Sequence, residues 1–114
     1  RDWLWRECAA GSLDFPMTDV ECWWGNDPKE RSQAEIDIVA VDGSTTTLVG
    51  ECKWRGEPTD VDQLRKLDAR AWLAGAEAQT PRWLFSKSTY TDACKAFALN
   101  LPSARLVTFE EMVR

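Results

Sequence analysis

The chain has 114 residues, of which 44% are apolar and 29% are charged, and its formal net charge is −5. These values are typical of one soluble globular domain, and no apolar run approaches the ~18 residues that a membrane span needs. Histidine is absent, which excludes Ser-His-Asp hydrolysis, Cys-His proteolysis and His-ligated zinc. Any catalysis must therefore use carboxylates, lysine, thiols or metal-bound water.

The first half of the chain predicts one helix and three strands. Apolar residues at helical spacing predict a helix over residues 2–10, which Gly11 ends. Three apolar, β-branched segments predict strands, at residues 20–24, 34–41 and 46–54. Asp42-Gly43 is a turn signal, so the second and third strands form an antiparallel hairpin with a loop of several residues. Because adjacent residues on a strand point to opposite faces, one of Trp23 and Trp24 is expected to be exposed.

The second half of the chain predicts alternating helices and strands. Thr59 and Asp62 resemble a capping box, so a helix begins at Pro58-Thr59 and ends near Gly75. A strand, a helix, a strand and a short helix follow, at residues 82–86, 91–99, 104–109 and 110–114. The order α-β-β-β-α-β-α-β-α predicts an α/β domain with a mixed β-sheet flanked by helices.

The chain contains four widely spaced cysteines and no C-x-x-C pair: Cys8, Cys22, Cys52 and Cys94. This spacing is not that of a zinc knuckle or a dense disulfide framework, although a single disulfide stays open. We expect reduced thiols, mostly buried as small apolar groups, in a cytoplasmic protein. Because the sequence begins at Arg1 without a start methionine or a signal peptide, we also expect a longer parent chain.

Charged residues interrupt the two best strands. Glu35 and Asp37 alternate on one strand and Glu51 and Lys53 on the next, and residues i and i+2 of a strand share a face. The hairpin therefore predicts three carboxylates and one ammonium on one face of neighbouring strands. A divalent cation would neutralise such a cluster, since Mg²⁺ takes carboxylate and carbonyl oxygens and keeps several waters. The backbone carbonyl of Cys52 would be available to that metal.

A solvated hairpin with cross-strand salt bridges is the simpler alternative, and such surface pairs contribute little to stability. The flanking residues are apolar on both faces, in I-D-I-V-A-V and in T-L-V-G-E-C, which favours interior strands over an exposed ribbon. Convergence of Asp37, Glu51 and Lys53 in a cleft would favour an enzyme. Their separation on an open surface would favour a binding module.

An aspartate, thirteen intervening residues and an E-x-K motif resemble the PD-(D/E)XK nuclease superfamily, whose fold is that of restriction endonucleases. E-I-D-I-V-A-V with L-V-G-E-C-K-W further resembles the domain of unknown function at the C-terminus of certain prokaryotic AAA+-type ATPases. W-W-G, L-F-S-K-S and L-V-T-F-E-E add to that resemblance, which covers most of residues 1–114. The sequence departs from the motif at Ile36, where the superfamily has proline.

The resemblance implies a Mg²⁺- or Mn²⁺-dependent nuclease that hydrolyses DNA phosphodiester bonds. It assigns Asp37 and Glu51 as metal ligands and Lys53 as the catalytic lysine. Glu7 matches a helix glutamate that completes the site in several branches, although a solvated helix charge explains it equally. Gln63 matches a glutamine that recurs after the lysine and is a predicted DNA contact, although a structural role is the alternative. Geometry adds Glu35, which would complete the metal shell or bind a second metal.

The net charge is unfavourable for a nucleic-acid substrate, because phosphate binding usually needs a basic surface. Without Glu7, Glu35, Asp37 and Glu51, 15 acidic side chains face 14 basic ones. Basic residues follow the motif and are the predicted DNA contacts, although a solvated helix face is the alternative: Arg55, Lys66 and Arg70. We therefore expect weak DNA binding by the domain alone, with affinity supplied by an attached ATPase domain.

Two functions from different classes follow. The first is a single nuclease domain over residues 1–114, the C-terminal part of an ATPase, with self-association possible and no membrane partner. The second is a catalytically inactive accessory module that binds a partner protein or regulates the ATPase. The intact Asp37, Glu51 and Lys53 favour the nuclease, whereas the acidic charge and exposed tryptophans favour the module.

Overall fold

The structure, a computed structural model, describes residues 2–13 and 15–113. Within this part of the chain it contains, in order, α1 (Asp2–Ala9), β1 (Asp19–Asp27), β2 (Ser32–Asp42), β3 (Thr45–Lys53), α2 (Val61–Arg70), a 3₁₀ turn (Ala71–Ala74), β4 (Arg82–Ser86), α3 (Asp92–Leu99), β5 (Ala104–Thr108) and α4 (Phe109–Met112). The predicted element order is confirmed. The predicted last helix also included Arg114, which lies outside the described residues.

The five strands form one mixed sheet in the order β1-β2-β3-β4-β5. The first three strands are an antiparallel meander, and β3, β4 and β5 are parallel to one another. The parallel pairs need crossover connections, which α2 and α3 supply. The predicted mixed sheet flanked by helices is therefore confirmed, and β3 lies at its centre.

Each face of the sheet carries its own apolar cluster. The first cluster joins α1 to inward-facing strand residues, among them Ile38, Leu48, Phe85 and Val107. The second cluster joins α2 and α3 to the opposite face, through residues such as Leu64, Leu67 and Cys94. Since both faces are covered, the central strands are apolar on both sides, as their sequences indicate.

Tight turns and caps set the ends of several elements. Gly43 adopts a φ of +65° in a two-residue turn between β2 and β3, so the predicted loop of several residues is wrong. Asp60, and not Thr59, caps α2, because its carboxylate accepts a hydrogen bond from the Val61 amide at 2.8 Å. Gly75 ends the helical segment with a left-handed φ of +86°, as predicted.

A β-bulge lies in β2 at Asp37 and Ile38. The register changes by one residue between the Glu21–Val39 and Trp23–Ile36 pairs, so β2 holds one extra residue there. Beyond the bulge the ladder between β2 and β3 has ended, since its last pair is Ile38–Gly50. Residues 23–36 therefore extend past the sheet as a two-stranded ribbon, hereafter the β1–β2 ribbon.

The cysteines are less buried than the sequence predicts. All four are free, but only Cys94 is buried, while Cys22 and Cys52 are exposed. None of the helices in the described part of the chain has both the length and the apolar content needed to cross a lipid bilayer.

Candidate functional site

Asp37 and Glu51 form a carboxylate pair where β2 and β3 separate. The Asp37 amide donates a hydrogen bond to Glu51 Oε1 at 3.4 Å, and the Cys52 amide donates one to Asp37 Oδ2 at 3.0 Å. Each carboxylate is thus held by a backbone amide of the other strand. The bulge at Asp37 supplies this arrangement, because it releases the residue from regular pairing at the end of the ladder.

The pair is electrostatically strained. Burial, and then the charge and hydrogen bonding of Asp37, raise the pKa of Glu51 from 4.5 to about 7, against a smaller lowering by Lys53. Two carboxylates in contact cannot both ionise without cost. Near neutral pH the site therefore holds a proton on Glu51 or favours a cation in its place.

Lys53 lies at the end of β3, two residues beyond Glu51 and on the same face of the sheet. Its backbone carbonyl accepts a hydrogen bond from the Lys87 amide at 3.1 Å, and it pairs with Ser86 of β4. The site thus occupies the carboxyl edge of the parallel strands, where α/β sheets commonly bind ligands.

A cleft of about 190 Å³ opens beside Lys53 and runs to the start of α2. Arg55 and Gln63, both predicted DNA contacts, line it with Lys53. Its floor includes Thr59, whose hydroxyl lies 2.8 Å from that of Ser86 in a buried pair. The structure therefore brings Arg55 and Gln63 to the lysine of the motif.

Lys66 and Arg70, the other predicted DNA contacts, lie further along α2. They line a second cleft with Glu35, Gln33 and Trp24 of the β1–β2 ribbon. The ribbon carries Glu35 away from β3, because the ladder ends before it. Glu35 therefore belongs to a different cleft from Lys53.

The predicted cluster of three carboxylates does not form. Across residues 2–13 and 15–113, no three Asp, Glu, Cys or His side chains lie close enough together to hold a metal ion. Glu7 lies on α1, where its carboxylate accepts a hydrogen bond from the Ser12 hydroxyl at 3.1 Å. Glu35 and Glu7 are thus not brought to the pair, because the first lies on the ribbon and the second is held within its own segment.

Cys52 points to the opposite face of β3 from Glu51, as alternation predicts. It lines an apolar groove with Trp3, Leu4 and Trp54 on the α1 side. Although the residue as a whole is exposed, burial of the thiol, followed by the charge of Asp37, raises the pKa of Cys52 to about 11. The thiol is therefore protonated at neutral pH and is a poor nucleophile.

Sequence reasoning missed the polar floor of the Lys53 cleft. Ser86 is buried at the end of an apolar strand, and its hydroxyl accepts a hydrogen bond from the Ser88 amide at 3.2 Å. Asp60 lines the same cleft while binding the Thr91 hydroxyl at 2.8 Å. A serine ending the run R-W-L-F-S was the available signal, because a buried hydroxyl needs a partner.

The carboxylate pair suits a hard divalent cation. Asp37 and Glu51 offer oxygen ligands in mutual contact, and their repulsion would fall on binding a positive ion. Mg²⁺ commonly uses one or two protein carboxylates and completes its shell with water and substrate oxygens, so a third acidic side chain is not required. The donor set therefore fits Mg²⁺ or Mn²⁺ and does not resemble a zinc site.

Comparison with known proteins gives a family and a structural neighbour. The chain aligns with the crystal structure of a protein of unknown function, AF1548, at 19% identity and a TM-score of 0.57. The alignment covers 96% of this chain and 57% of that protein, so this chain spans little more than half its length. No curated protein matches the sequence. Residues 1–70 match the profile of DUF234, described as archaeal and bacterial proteins of unknown function, and the chain therefore belongs to the DUF234 family.

Proposed function

We propose that this domain is a metal-dependent nuclease that hydrolyses phosphodiester bonds of DNA. The observation that carries the proposal is the contact between the Asp37 and Glu51 carboxyl groups beside Lys53. A solvated hairpin would have no reason to hold two like charges together in a half-buried position. The element order and the central antiparallel hairpin agree with the fold that the PD-(D/E)XK resemblance implies.

Asp37 and Glu51 would hold Mg²⁺ or Mn²⁺, and the Cys52 carbonyl stays a predicted third ligand. The bound cation supplies Lewis-acid activation of water and neutralises charge on the scissile phosphate. The amides of Asp37 and Cys52 fix one oxygen of each carboxylate, which orients the other oxygen of each group. The backbone thus determines the direction in which the ligands point.

Lys53 would donate hydrogen bonds from its ammonium to a phosphate oxygen. Arg55 and Gln63 line the same cleft, so they can hold the neighbouring sugar-phosphate backbone. These contacts orient the substrate and add positive charge where the reacting phosphate gains negative charge. Glu57 and Asp60 also line the cleft, which agrees with weak binding of DNA by the domain alone.

The attached AAA+-type ATPase domain is part of the same proposal. It would supply most of the affinity for DNA, because the chain carries a net charge of −5. A cytoplasmic location likewise stays a proposal, and four free cysteines agree with it.

The test is cleavage of labelled single-stranded, duplex and branched DNA in Mg²⁺ and in Mn²⁺. Glu51→Gln and Asp37→Asn keep the shape of each side chain and remove its charge, so each should abolish metal-dependent cutting. Glu21→Gln is the matched control, since it removes an exposed carboxylate from the neighbouring strand β1, outside the pair and outside the clefts. We expect it to retain cutting.

Metal binding provides a second readout that does not need the correct substrate. Mn²⁺ should bind the wild-type domain and the Glu21→Gln variant, and binding should be lost in the Glu51→Gln variant. Metal-independent cutting, or cutting that survives Glu51→Gln, would refute the site. Absence of both metal binding and cutting in the full-length protein would refute the nuclease and favour the accessory module.

A further inference from the structure

The β1–β2 ribbon and α2 form the two walls of a slot, which begins where the candidate site ends. Two adjoining clefts make up this slot, and both contain Lys66 and Arg70 of α2. One cleft also contains Trp24, Gln33 and Glu35. At 71% exposure, Trp24 presents a large free aromatic surface to this cleft.

The packing of the ribbon fixes the backbone position of Trp24. The neighbouring Trp23 packs against the second apolar cluster, and its ring covers Gly25 so closely that a Cβ there would lie 3.0 Å from the ring. Trp24 pairs directly with Glu35 on the opposite strand. Since Trp23 anchors the strand, the backbone that carries Trp24 needs little ordering on binding a ligand.

At the far end of the slot, a cation–π contact joins the ribbon to the segment that follows α2. The Lys29 ammonium, near the tip of the ribbon, lies 4.9 Å from the ring centroid of Trp72, which follows α2. This cation–π contact ties the ribbon to the helical wall. The ribbon therefore contacts the helical side of the slot at both ends, through Trp23 at one end and Lys29 at the other.

The slot and the cleft beside Lys53 lie along one side of α2. Gln63, Lys66 and Arg70 are spaced three and four residues apart on α2, so they share one stripe of the helix. Gln63 lines the cleft beside Lys53, and the two cations line the slot. A strand held by the first cleft would therefore meet Lys66 and then Arg70.

We propose that the slot binds an unpaired nucleotide of a single-stranded nucleic acid. The base would stack on Trp24, and its phosphates would contact Lys66 and Arg70. Exposed aromatic rings beside cations are the usual way in which proteins hold single strands, because every base has a stacking face. In a duplex those faces are covered by neighbouring bases, so the slot selects single-stranded segments.

The lining of the slot suits a nucleotide better than an apolar partner. Apart from Trp24 and Ala34, the cleft around Trp24 is lined by polar or charged side chains, with two cations and one carboxylate. The adjoining cleft adds one cation and two carboxylates, so the excess of positive charge is confined to the part of the slot beside Trp24. Gln33 and Glu35 offer an amide and a carboxylate that can pair with the edge of a stacked base. The inference that single-stranded nucleic acid is the substrate class rests on the proposed nuclease function.

Binding can be measured without cleavage, in the Glu51→Gln background and without metal. The probe is a labelled mixed-sequence DNA single strand of about 12 nucleotides, compared with the corresponding blunt duplex by fluorescence anisotropy at low salt. Trp24→Ala should weaken single-strand binding at least about fivefold, and Trp24→Phe should restore most of it. Lys66→Ala should lower the salt dependence by about one phosphate contact.

Trp5→Ala is the matched control, since Trp5 is a partly exposed tryptophan on α1 at the other face of the sheet. It should leave binding unchanged, and far-UV circular dichroism confirms that each variant folds. Equal affinity of the wild type and Trp24→Ala, stronger binding of duplex than of single strand, or no single-strand binding at all would overturn the proposal. If the protein without the Glu51→Gln substitution cuts no DNA but binds single strands through Trp24, the nuclease proposal is refuted and the slot assignment stands.

Discussion

Glu51→Gln should stabilise the metal-free protein above neutral pH. In the folded state the pKa of Glu51 is about 7, whereas its ordinary value is 4.5. Between these two pH values the folded protein keeps a proton that the unfolded chain has lost, so wild-type stability falls as pH rises. Above pH 7 the carboxylate is charged in both states, and the full penalty of burying that charge, and of holding it beside Asp37, remains.

The size of the effect follows from the same two values. A pKa difference from 4.5 to about 7 corresponds to about 3 kcal/mol if no charge is screened. Glu51 is only half-buried, so water reduces this figure, and we expect about 1–2 kcal/mol at pH 8. For a domain of this size, the variant should then melt about 4–8 °C above the wild type.

Thermal unfolding between pH 4 and pH 8 provides the assay. The two proteins should have similar melting temperatures near pH 4 and diverge through pH 5–7, while Glu21→Gln follows the wild type. Hydrogen bonds from the Thr91 hydroxyl and the Val61 amide lower the pKa of Asp60, which moves its titration away from that of Glu51. Parallel curves for the wild type and Glu51→Gln would show that neither burial nor Asp37 raises the pKa of Glu51.

Three further predictions concern the structure around the site. Mg²⁺ at pH 8 should raise the melting temperature of the wild type and leave that of Glu51→Gln unchanged; equal shifts in the two would show that the cation binds elsewhere. Asp68→Ala should cost about 1–2 kcal/mol in chemical denaturation, because the Nε of the buried Arg82 lies 2.8 Å from Asp68 Oδ1, although this N–H is not aligned as a hydrogen bond. The cost is moderate because Asp68 is partly exposed and Arg82 keeps its hydrogen bonds to backbone carbonyls. Adding Arg82→Met to Asp68→Ala should recover much of that lost stability, and additive effects of the two substitutions in a double-mutant cycle would contradict the pairing. Tyr90→Phe should cost about 1–2 kcal/mol, since the buried hydroxyl lies within hydrogen-bond distance of two backbone carbonyls, those of residues 84 and 107.

Local patterns in the sequence were sufficient to predict the order of the elements. The strand at residues 82–86 was predicted with its observed limits, because an apolar run between turn residues leaves little choice. The pairing of Asp37 with Glu51 followed from the short connection between two strong strands. Exposure of one residue of the Trp23–Trp24 pair was likewise confirmed, with Trp24 exposed.

The position of Glu35 depended on information that a single sequence does not contain. Alternation placed it beside Asp37, but it is the end of the β2–β3 ladder at Ile38 that decides which carboxylates meet. The bulge and the strand separation are tertiary features, set by packing of both faces of the sheet. The cap of α2 could not be predicted for a similar reason. The Thr59 hydroxyl pairs with the buried hydroxyl of Ser86, which is distant in sequence, so Asp60 caps the helix instead.

The central position of β3 has a consequence for residues 1–70, the part of the chain that matches the DUF234 profile. The profile match ends at residue 70, while β3 hydrogen-bonds on its other side to β4, which begins at Arg82. A fragment cut after α2 would keep Asp37, Glu51 and Lys53 but would expose the backbone edge of an apolar strand. Such an edge is a template for intermolecular strand pairing, so this fragment should aggregate rather than form a minimal version of the domain.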